Sequence, residues 1–585
     1  MKNRILIIIA IGSFIGMFSA CNDDFLERFP LDEVSNETFW RNEADLKNYN
    51  NSIYHIVRDD EVFPILMGLG KGKGLNFYEG IWWQDEMSDN LGPTHGRAQS
   101  MYEVRAGKHA VPDNPRIMGY KGWNLIRTIN FGLENYGRAA ASPEVINRYS
   151  GEARLFRGWF YADKVSKFGD VQWAETVLNI DSEELYGTRD DRDFVMEKVL
   201  ADLDAAIAGL PETWDDGRVD KWVALAVKSR VCLFEGTWRK YHGLGNEDFW
   251  LQESVKASEQ IMNSGRFSIY KTGDPINDYR YMHWQETQAG NPEAIYWRRY
   301  EAEINGHFAS RLFWNYNGGA TKSFVEDALC TDGLPISISP LYAGDATIED
   351  VFVERDPRLR QCVLNPADHI RIDYANDPNN AYPRIVGQSG GRNKSNTGYH
   401  VVKHWNDVDE QRPRNMHIVS PVCLRLGEVL LNYAEAKAEL GNITQNDLDI
   451  SINLLRDRVA MPDMDLNPQM DPRYANDGVS ALIVEIRRER RIELFLEGHR
   501  YNDIRRWKQG IKFADSDYGI LWDEAAQARY PGAKVKTTLI DGKPYIDVRK
   551  GTDFEPVFDE SKHYLWPIPI SVISQNPNVG QNPGW

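Results

Sequence analysis

The sequence predicts a mostly α-helical protein in which helical hairpins follow one another and stack as a solenoid. Three observations carry this. Apolar residues recur at three- and four-residue spacing through most of 43–264. That rhythm stops between 265 and 420, where Gly, Pro, Asn, Asp and aromatics dominate, and a loop-rich stretch of this length in a folded protein is usually functional. From 423 to 509 the helical period returns, before an irregular tail from Gly510.

The chain opens on a leader. Met1-Lys2-Asn3-Arg4 is basic, Ile5 to Phe18 is apolar or small, and Phe18-Ser19-Ala20-Cys21 closes it. The run is shorter than the roughly 20 residues of a membrane-spanning helix. It reads as a secretory signal over 1–20, and small residues followed at once by Cys are its lipoprotein form. Cys21 is then acylated and becomes the first mature residue, anchored by lipid chains. A plain signal peptide with a chance cysteine is the bland alternative. Residues 22–37 form an extended tether.

The first helix is expected over Glu43–Val57, with Leu46, Tyr49, Ile53, Ile56 and Val57 on one stripe and Asn42 at its start. Residues 60–114 are an irregular insertion rich in Gly and aromatics. Helices resume at Pro115 (Tyr120, Trp123, Ile126, Ile129, Leu133, Tyr136). Ser142-Pro143 opens the next as N-cap and first helical residue, with Gly169 as its stop. Phe194–Leu210, Lys221–Tyr241 and Phe249–Ser264 follow. After the loop-rich lobe of 265–420, helices are expected over Cys423–Leu440, Gln445–Val459 and Ser480–Gln509. No strict internal repeat is visible. The chain thus divides at about 264/265 into an N-terminal part, 21–264, and a C-terminal part, 265–585.

Composition limits the function. Hydrophobic residues make up 42% and aromatics 12%, as in a folded globular chain. The net charge is −18, and loss of Lys2 and Arg4 with the leader makes it −20. No basic field exists to hold nucleic acid or an anionic membrane surface. Apart from Cys21, the cysteines are Cys232, Cys330, Cys362 and Cys423. They are widely spaced with no C-x-x-C or Cys/His cluster, so no zinc site or other metal is expected. Buried thiols are the default, with Cys232 and Cys423 in helical apolar patterns.

Several phrases have a specific character: Cys21-Asn-Asp-Asp-Phe-Leu-Glu27; Gly151-Glu-Ala-Arg-Leu-Phe-Arg-Gly-Trp-Phe-Tyr161, then Lys167-Phe-Gly-Asp-Val171; Arg425-Leu-Gly-Glu-Val-Leu-Leu-Asn-Tyr-Ala-Glu-Ala436; Ile486 to Trp507; and Leu565-Trp-Pro-Ile-Pro569 before an Asn-Pro-rich tail. In this order they resemble the SusD/RagB family of outer-membrane lipoproteins. Departures are Gly151, Gly158 where Ala is usual, and Gln172 in place of Pro. The resemblance implies four tetratricopeptide-like hairpins with an irregular lobe packed on them. It also implies nutrient capture, usually of a glycan, beside a SusC-like TonB-dependent transporter, with no cofactor.

The densest ionisable group runs through Glu485, Arg487, Arg488, Glu489, Arg490, Arg491, Glu493, Glu497, His499, Arg500 and Asp503. Glu489, Glu493 and Glu497 recur every four residues among arginines, the spacing of ion-pair ladders on one helix face rather than of a poised acid. His499 and Asp503 at i, i+4 lack a third metal ligand. Gly68–Gly74 is glycine-rich but has no Ser/Thr after a terminal Lys, and reads as a surface loop. No G-x-S-x-G, H-E-x-x-H or P-loop occurs.

Aromatics in the loop-rich segments lie on no helical stripe. Trp82-Trp83 precede Asp85, Glu86, Asp89, Asn90 and Arg97; Tyr296–Tyr300 and Trp314–Asn317 form a second group. A flat ring suits the C–H face of a sugar, and Asp, Asn and Arg suit its hydroxyls. The expected stacking residues are Trp83, Trp297 and Trp314. Asp89, Asn90, Arg97 and Tyr316 are expected as hydroxyl partners or flanking contacts, with Trp82 and Tyr300 as second choices. The reading is a non-catalytic glycan-binding protein. The alternatives are a peptide- or other nutrient-binding relative and, with no motif behind it, a lipid-anchored glycoside hydrolase.

Overall fold

A computed structural model of the chain describes residues 36–59, 80–92, 103–114, 119–214, 217–307, 318–368, 370, 384–388, 394–413 and 415–585. Four helix pairs follow one another. They are α1 (Glu43–Asp59) with α2 (Trp123–Asn135), α3 (Pro143–Phe168) with α4 (Arg192–Gly209), α5 (Lys221–His242) with α6 (Glu247–Met262), and α7 (Leu426–Glu439) with α8 (Ala481–Glu493). A short helix, α9 (Arg500–Arg506), packs on α5.

Local chemistry sets the helix ends. The Ser142 hydroxyl accepts from Val145 N at 3.3 Å with Pro143 next, and Gly169 ends α3 at φ 72°. Asp191 and Asp220 cap α4 and α5, and Gly243 closes α5 in the left-handed region. The stripes then meet. Phe156, Phe160, Val199 and Leu203 are fully buried, and each such side chain contributes ~2 kcal/mol by leaving water. Gly151 and Gly158 have a packing reason. A Cβ at Gly158 would lie 3.2 Å from Val199 O, and one at Gly151 3.0 Å from the Leu210 side chain. The two glycines let α3 and α4 approach closely.

Three expected helices differ. Residues Val422–Arg425 form a strand paired antiparallel with Ala294–Trp297, so Cys423 lies in a strand. All four are buried, and a short apolar run such as Val422-Cys423-Leu424 has the same pattern in a buried strand as in a buried helix. The 445–459 segment breaks into Gln445–Asp449 and Ile452–Arg458, where Ser451 leaves the helical region and bonds back to Asp447 O. The 480–509 helix stops at Glu493, turns through Leu496 (φ 60°) and Gly498 (φ 78°), and restarts at Arg500. The turn admits the short 3-10 helix Ile81–Met87, since a Cβ on Gly498 would meet Ile81 O at 2.6 Å.

The remaining sheets are small. Leu91–Gly92 pairs with Gly319–Ala320, Arg384–Ile385 with Lys394–Ser395, and Lys543–Asp547 lies between Tyr518–Leu521 and Thr537–Ile540. The four cysteines after Cys21 are buried free thiols. Among the described residues no helix is long and apolar enough to cross a membrane.

Candidate functional site

The charged phrases build the centre of the molecule. Glu493 accepts from Arg358 at 2.9 Å, Arg425 at 2.7 Å and Arg458 at 2.5 Å. Glu497 accepts from Arg425 and from Lys403 at 2.6 Å. Glu489 takes Arg456 at 2.9 Å and Arg358; Asp503 takes Arg490 and Arg506; Glu435 takes Arg506 and the Trp507 indole. Pairing is therefore long-range. Within the motif, sequence-near pairs are confined to Arg488–Glu485 and Arg506–Asp503. Glu497 lies in the turn, off the helix that carries Glu489 and Glu493.

Electrostatics follow from these contacts. Burial pushes the Glu493 and Glu497 carboxyls up, but the surrounding guanidiniums and Lys403 outweigh it and hold both well below the usual carboxylate range. Such carboxylates stay ionised and cannot donate a proton near neutrality. Asp85 is the opposite case. Burial, with a smaller push from Glu497, raises it to about 7, against bonds from Asn90 and Leu496 N and the charge of Lys403. It is sealed at 0% exposure, out of reach of any substrate.

The expected ligand-binding residues are placed as follows. Arg97, Trp314 and Tyr316, with Cys21, lie outside the described residues. Trp82 and Trp83 fall in Ile81–Met87, but their side chains lie outside the description. Asp89 is buried: Arg500 donates to both of its carboxylate oxygens, and Arg491 lies 3.3 Å away. Asn90 is buried too, donating to Asp85 and accepting from Arg491. Both have the surroundings of core ion-pair and hydrogen-bond partners rather than of exposed sugar-hydroxyl contacts. Of the acidic residues after Trp82-Trp83, Asp89 pairs with Arg491 of α8 and Arg500 of α9.

The second group keeps a surface. In Ala294–Trp297, Tyr296 faces inward and Trp297 is half-buried on the other side of the strand. Among the described residues no ring or cation stacks on Trp297. Exposed Arg299 beside it pairs with Glu301 at 2.9 Å. Tyr300 faces the core, 3% exposed, edge-on to His307 and under Arg298. Ser420 ties this segment to a neighbouring one. Its hydroxyl accepts from Tyr300 N at 3.2 Å and donates to Glu286 O at 2.9 Å, and its N–H donates to Gln285 O at 2.8 Å. Half-buried Tyr281 and Trp284, stacked at 4.9 Å, precede that junction. Sequence reading missed them, although a helix-period signal through Tyr279–Trp284 is too short to explain both rings.

Two hollows fit a glycan chain less well. One of about 120 Å³, walled by Asp163, Arg230, Arg490, His499, Asn502 and Asp503, is smaller than the roughly 300 Å³ at which ligand pockets begin. A wider groove of about 640 Å³ contains Trp214, but Arg148 and Arg218 already lie 5.5 and 5.2 Å over its ring.

Comparison with known proteins gives the family. The model of the SusD family matches residues 284–585, more than half of the chain. The chain belongs to the SusD family. Similarity to individual members runs the full length. SusD-like protein P25 of Formosa agariphila is 23% identical, over 95% of this chain and 94% of that protein. A SusD-like protein of Bacteroides ovatus is 22% identical, over 100% and 98%. A solved SusD-like carbohydrate-binding protein of Bacteroides fragilis superimposes with a TM-score of 0.71 at 24% identity, covering 93% of this chain and all of that one. A second SusD-like protein from the same species gives 0.67 at 21%. In this SusD-family chain the signature arginines and glutamates are thus the buried frame, and the strand Ala294–Trp297 pairs with the segment that carries Arg425.

Proposed function

We propose that this SusD-family chain is a cell-surface, outer-membrane nutrient-binding lipoprotein. It is anchored through Cys21, captures an oligo- or polysaccharide without cleaving it, and passes it to a SusC-like TonB-dependent transporter. The observation that carries the glycan reading is Trp297, half-buried with no ring or cation stacked on it among the described residues and flanked by Arg298 and Arg299. That combination suits a sugar ring's apolar face and its hydroxyls. Trp83 and Trp314 complete the proposed platform, with Arg97, Tyr316 and Trp82 beside them. Asp89, Asn90 and Tyr300 are buried.

The non-catalytic reading rests on the carboxylates. Glu489, Glu493 and Glu497 are held by arginines and lysine, so these three do not supply the poised acid/base pair that glycoside hydrolysis needs. A panel of polysaccharides and peptides, scored in parallel for binding and for product release, tests the proposal. Saturable glycan binding without cleavage is the expected result. Peptide binding alone, or reducing-end release by the purified chain, would overturn it.

A further inference from the structure

Away from the strand that carries Trp297, residues of α3, α4, α5 and α9 line the hollow of about 120 Å³. Gln84, Asp163, Phe234 and Asn502 are half-buried at its rim, while Trp159, Met196 and His499 are buried deeper in it. Entry therefore does not require the helices to part. Trp159, Met196 and Phe234 make part of the wall apolar, and Phe234 stacks on Trp238 at 5.7 Å.

The rest of the wall is polar, and its charges are already matched. Arg230 donates Nε and Nη2 to the two Glu428 oxygens at 2.6 and 2.5 Å. Asp163 takes Lys167 at 2.8 Å, Glu235 takes Arg192 and Arg239, and Asp503 takes Arg490 and Arg506. What remains for a ligand is a set of N–H donors. His499 is 8% exposed, and its Nδ1 accepts from Arg490 Nη2 at 3.5 Å. A guanidinium only donates, so the ring proton sits on Nε2, which has no partner among the described residues. Burial is the largest influence on this imidazole and keeps it neutral, with its pKa pushed down to about 4. Asn502 accepts from Arg505 through Oδ1 at 3.1 Å, and its Nδ2 has no partner among the described residues. The same holds for Arg230 Nη1.

We propose that this hollow is a second binding site, for a single neutral sugar ring. The C–H face of such a ring suits Trp159 and Phe234, and its hydroxyl oxygens suit the N–H groups of His499, Asn502 and Arg230. Water would satisfy the donors but not the apolar wall. The volume is close to the roughly 150 Å³ of a cavity that takes up benzene, so one ring enters and a chain does not. The matched charges leave nothing to compensate a buried carboxylate, which favours a neutral sugar over an acidic one. Gln84 belongs to the helix Ile81–Met87, so a sugar touching Gln84 and His499 would tie that helix to α9. No residue of the hollow belongs to the aromatic platform around Trp297, so the two sites stand or fall separately.

Calorimetry on the full chain with D-glucose, D-galactose, D-mannose and D-xylose should show one saturable equivalent of at least one of them. D-Glucuronate should bind about tenfold or more weakly than the best of the four. Ala162→Phe, which fills the hollow from its rim, should abolish uptake, and Asn502→Ala should weaken it about tenfold. Where Ala162→Phe fails to fold, Asn502→Ala at the half-buried rim decides, and unchanged uptake by that variant would overturn the site. So would uptake of none of the four sugars by the parent, a preference for glucuronate, or full uptake by folded Ala162→Phe. Uptake that survives Ala162→Phe but is lost in Trp297→Ala would place the sugar on the platform instead.

Discussion

Arg500 holds Asp89 from two directions at once, Nε to Oδ1 at 2.7 Å and Nη2 to Oδ2 at 2.8 Å, with both side chains 7% exposed. The pair joins the segment after Trp82-Trp83 to the signature helices more than 400 residues later. Burial pushes the Asp89 carboxyl up, and Arg491 and Arg500 together more than reverse it, holding it well below the usual range. Breaking a buried pair by removing one partner leaves an uncompensated charge, at a cost of ~3–5 kcal/mol. Asp89→Asn and Glu493→Gln should therefore each lower unfolding stability by about that amount in urea titrations. Neither should weaken ligand binding at temperatures where the variant stays folded. Wild-type stability with lost binding would make Asp89 a ligand contact.

Gly498 offers a sharper structural test. Its φ of 78° strains any L side chain, and its Cβ position is 2.6 Å from Ile81 O. Gly441 has a similar φ of 71° but open space around it. Strain alone costs ~1 kcal/mol or somewhat more in both. Gly498→Ala should be more destabilising than Gly441→Ala, because the Ile81–Met87 helix must also move. Equal losses would mean that this helix does not rest against the turn.

Asp85 gives a pH dependence with a definite sign. An acid whose folded pKa, about 7, exceeds its ordinary 3.8 binds its proton more tightly in the folded state. Its contribution to stability is full below pH 4 and is lost as pH rises towards 7. Asp85→Asn keeps an acceptor for Leu496 N, bonded at 2.6 Å, and removes the titration. The stability of the variant relative to the parent should rise between pH 4 and 7 by on the order of 3 kcal/mol. A constant difference across that range would contradict the burial argument.

What the residues disclose about themselves is mostly local. Ser142-Pro143 and Gly169 mark the ends of α3 because a cap hydroxyl, a fixed φ and a positive φ are properties of single residues. The strand pairing of 294–297 with 422–425 is non-local, and the apolar Val422-Cys423-Leu424 is separated from the apolar start of α7 by Arg425 alone. The arginine–glutamate motif was legible as a frame, yet its partners Arg358, Arg425 and Arg458 come from other segments. A four-residue spacing suggests neighbours on a helix and says nothing about those. At the site, Tyr296 is buried and Trp297 half-buried in the strand, and Tyr300, past its end, turns to the core. Asp89 and Asn90 did not read as buried, since a loop-rich composition looks the same whether it faces solvent or wedges against a charged core.

The anchor is tested at Cys21. Two or more acyl chains are needed for stable membrane attachment. Cys21→Ser should release the chain into the soluble fraction, read by washing and fractionating outer membranes. Full retention after washing would place the anchor elsewhere. Mild-detergent extraction of the parent should bring a TonB-dependent transporter with it, and recovery as a free monomer under conditions that preserve such complexes would count against the partner.

Calorimetry of the parent and of Trp83→Ala, Trp297→Ala and Trp314→Ala, with the polysaccharide identified in the binding panel, addresses glycan capture on an aromatic platform most directly. A stacking residue lost from a solvated sugar site should weaken binding about tenfold or more, roughly 1.4 kcal/mol, with Tm nearly unchanged. The effect should be largest at Trp297 if its half-buried ring is the main stacking surface. Three folded variants that bind like the parent would contradict the account.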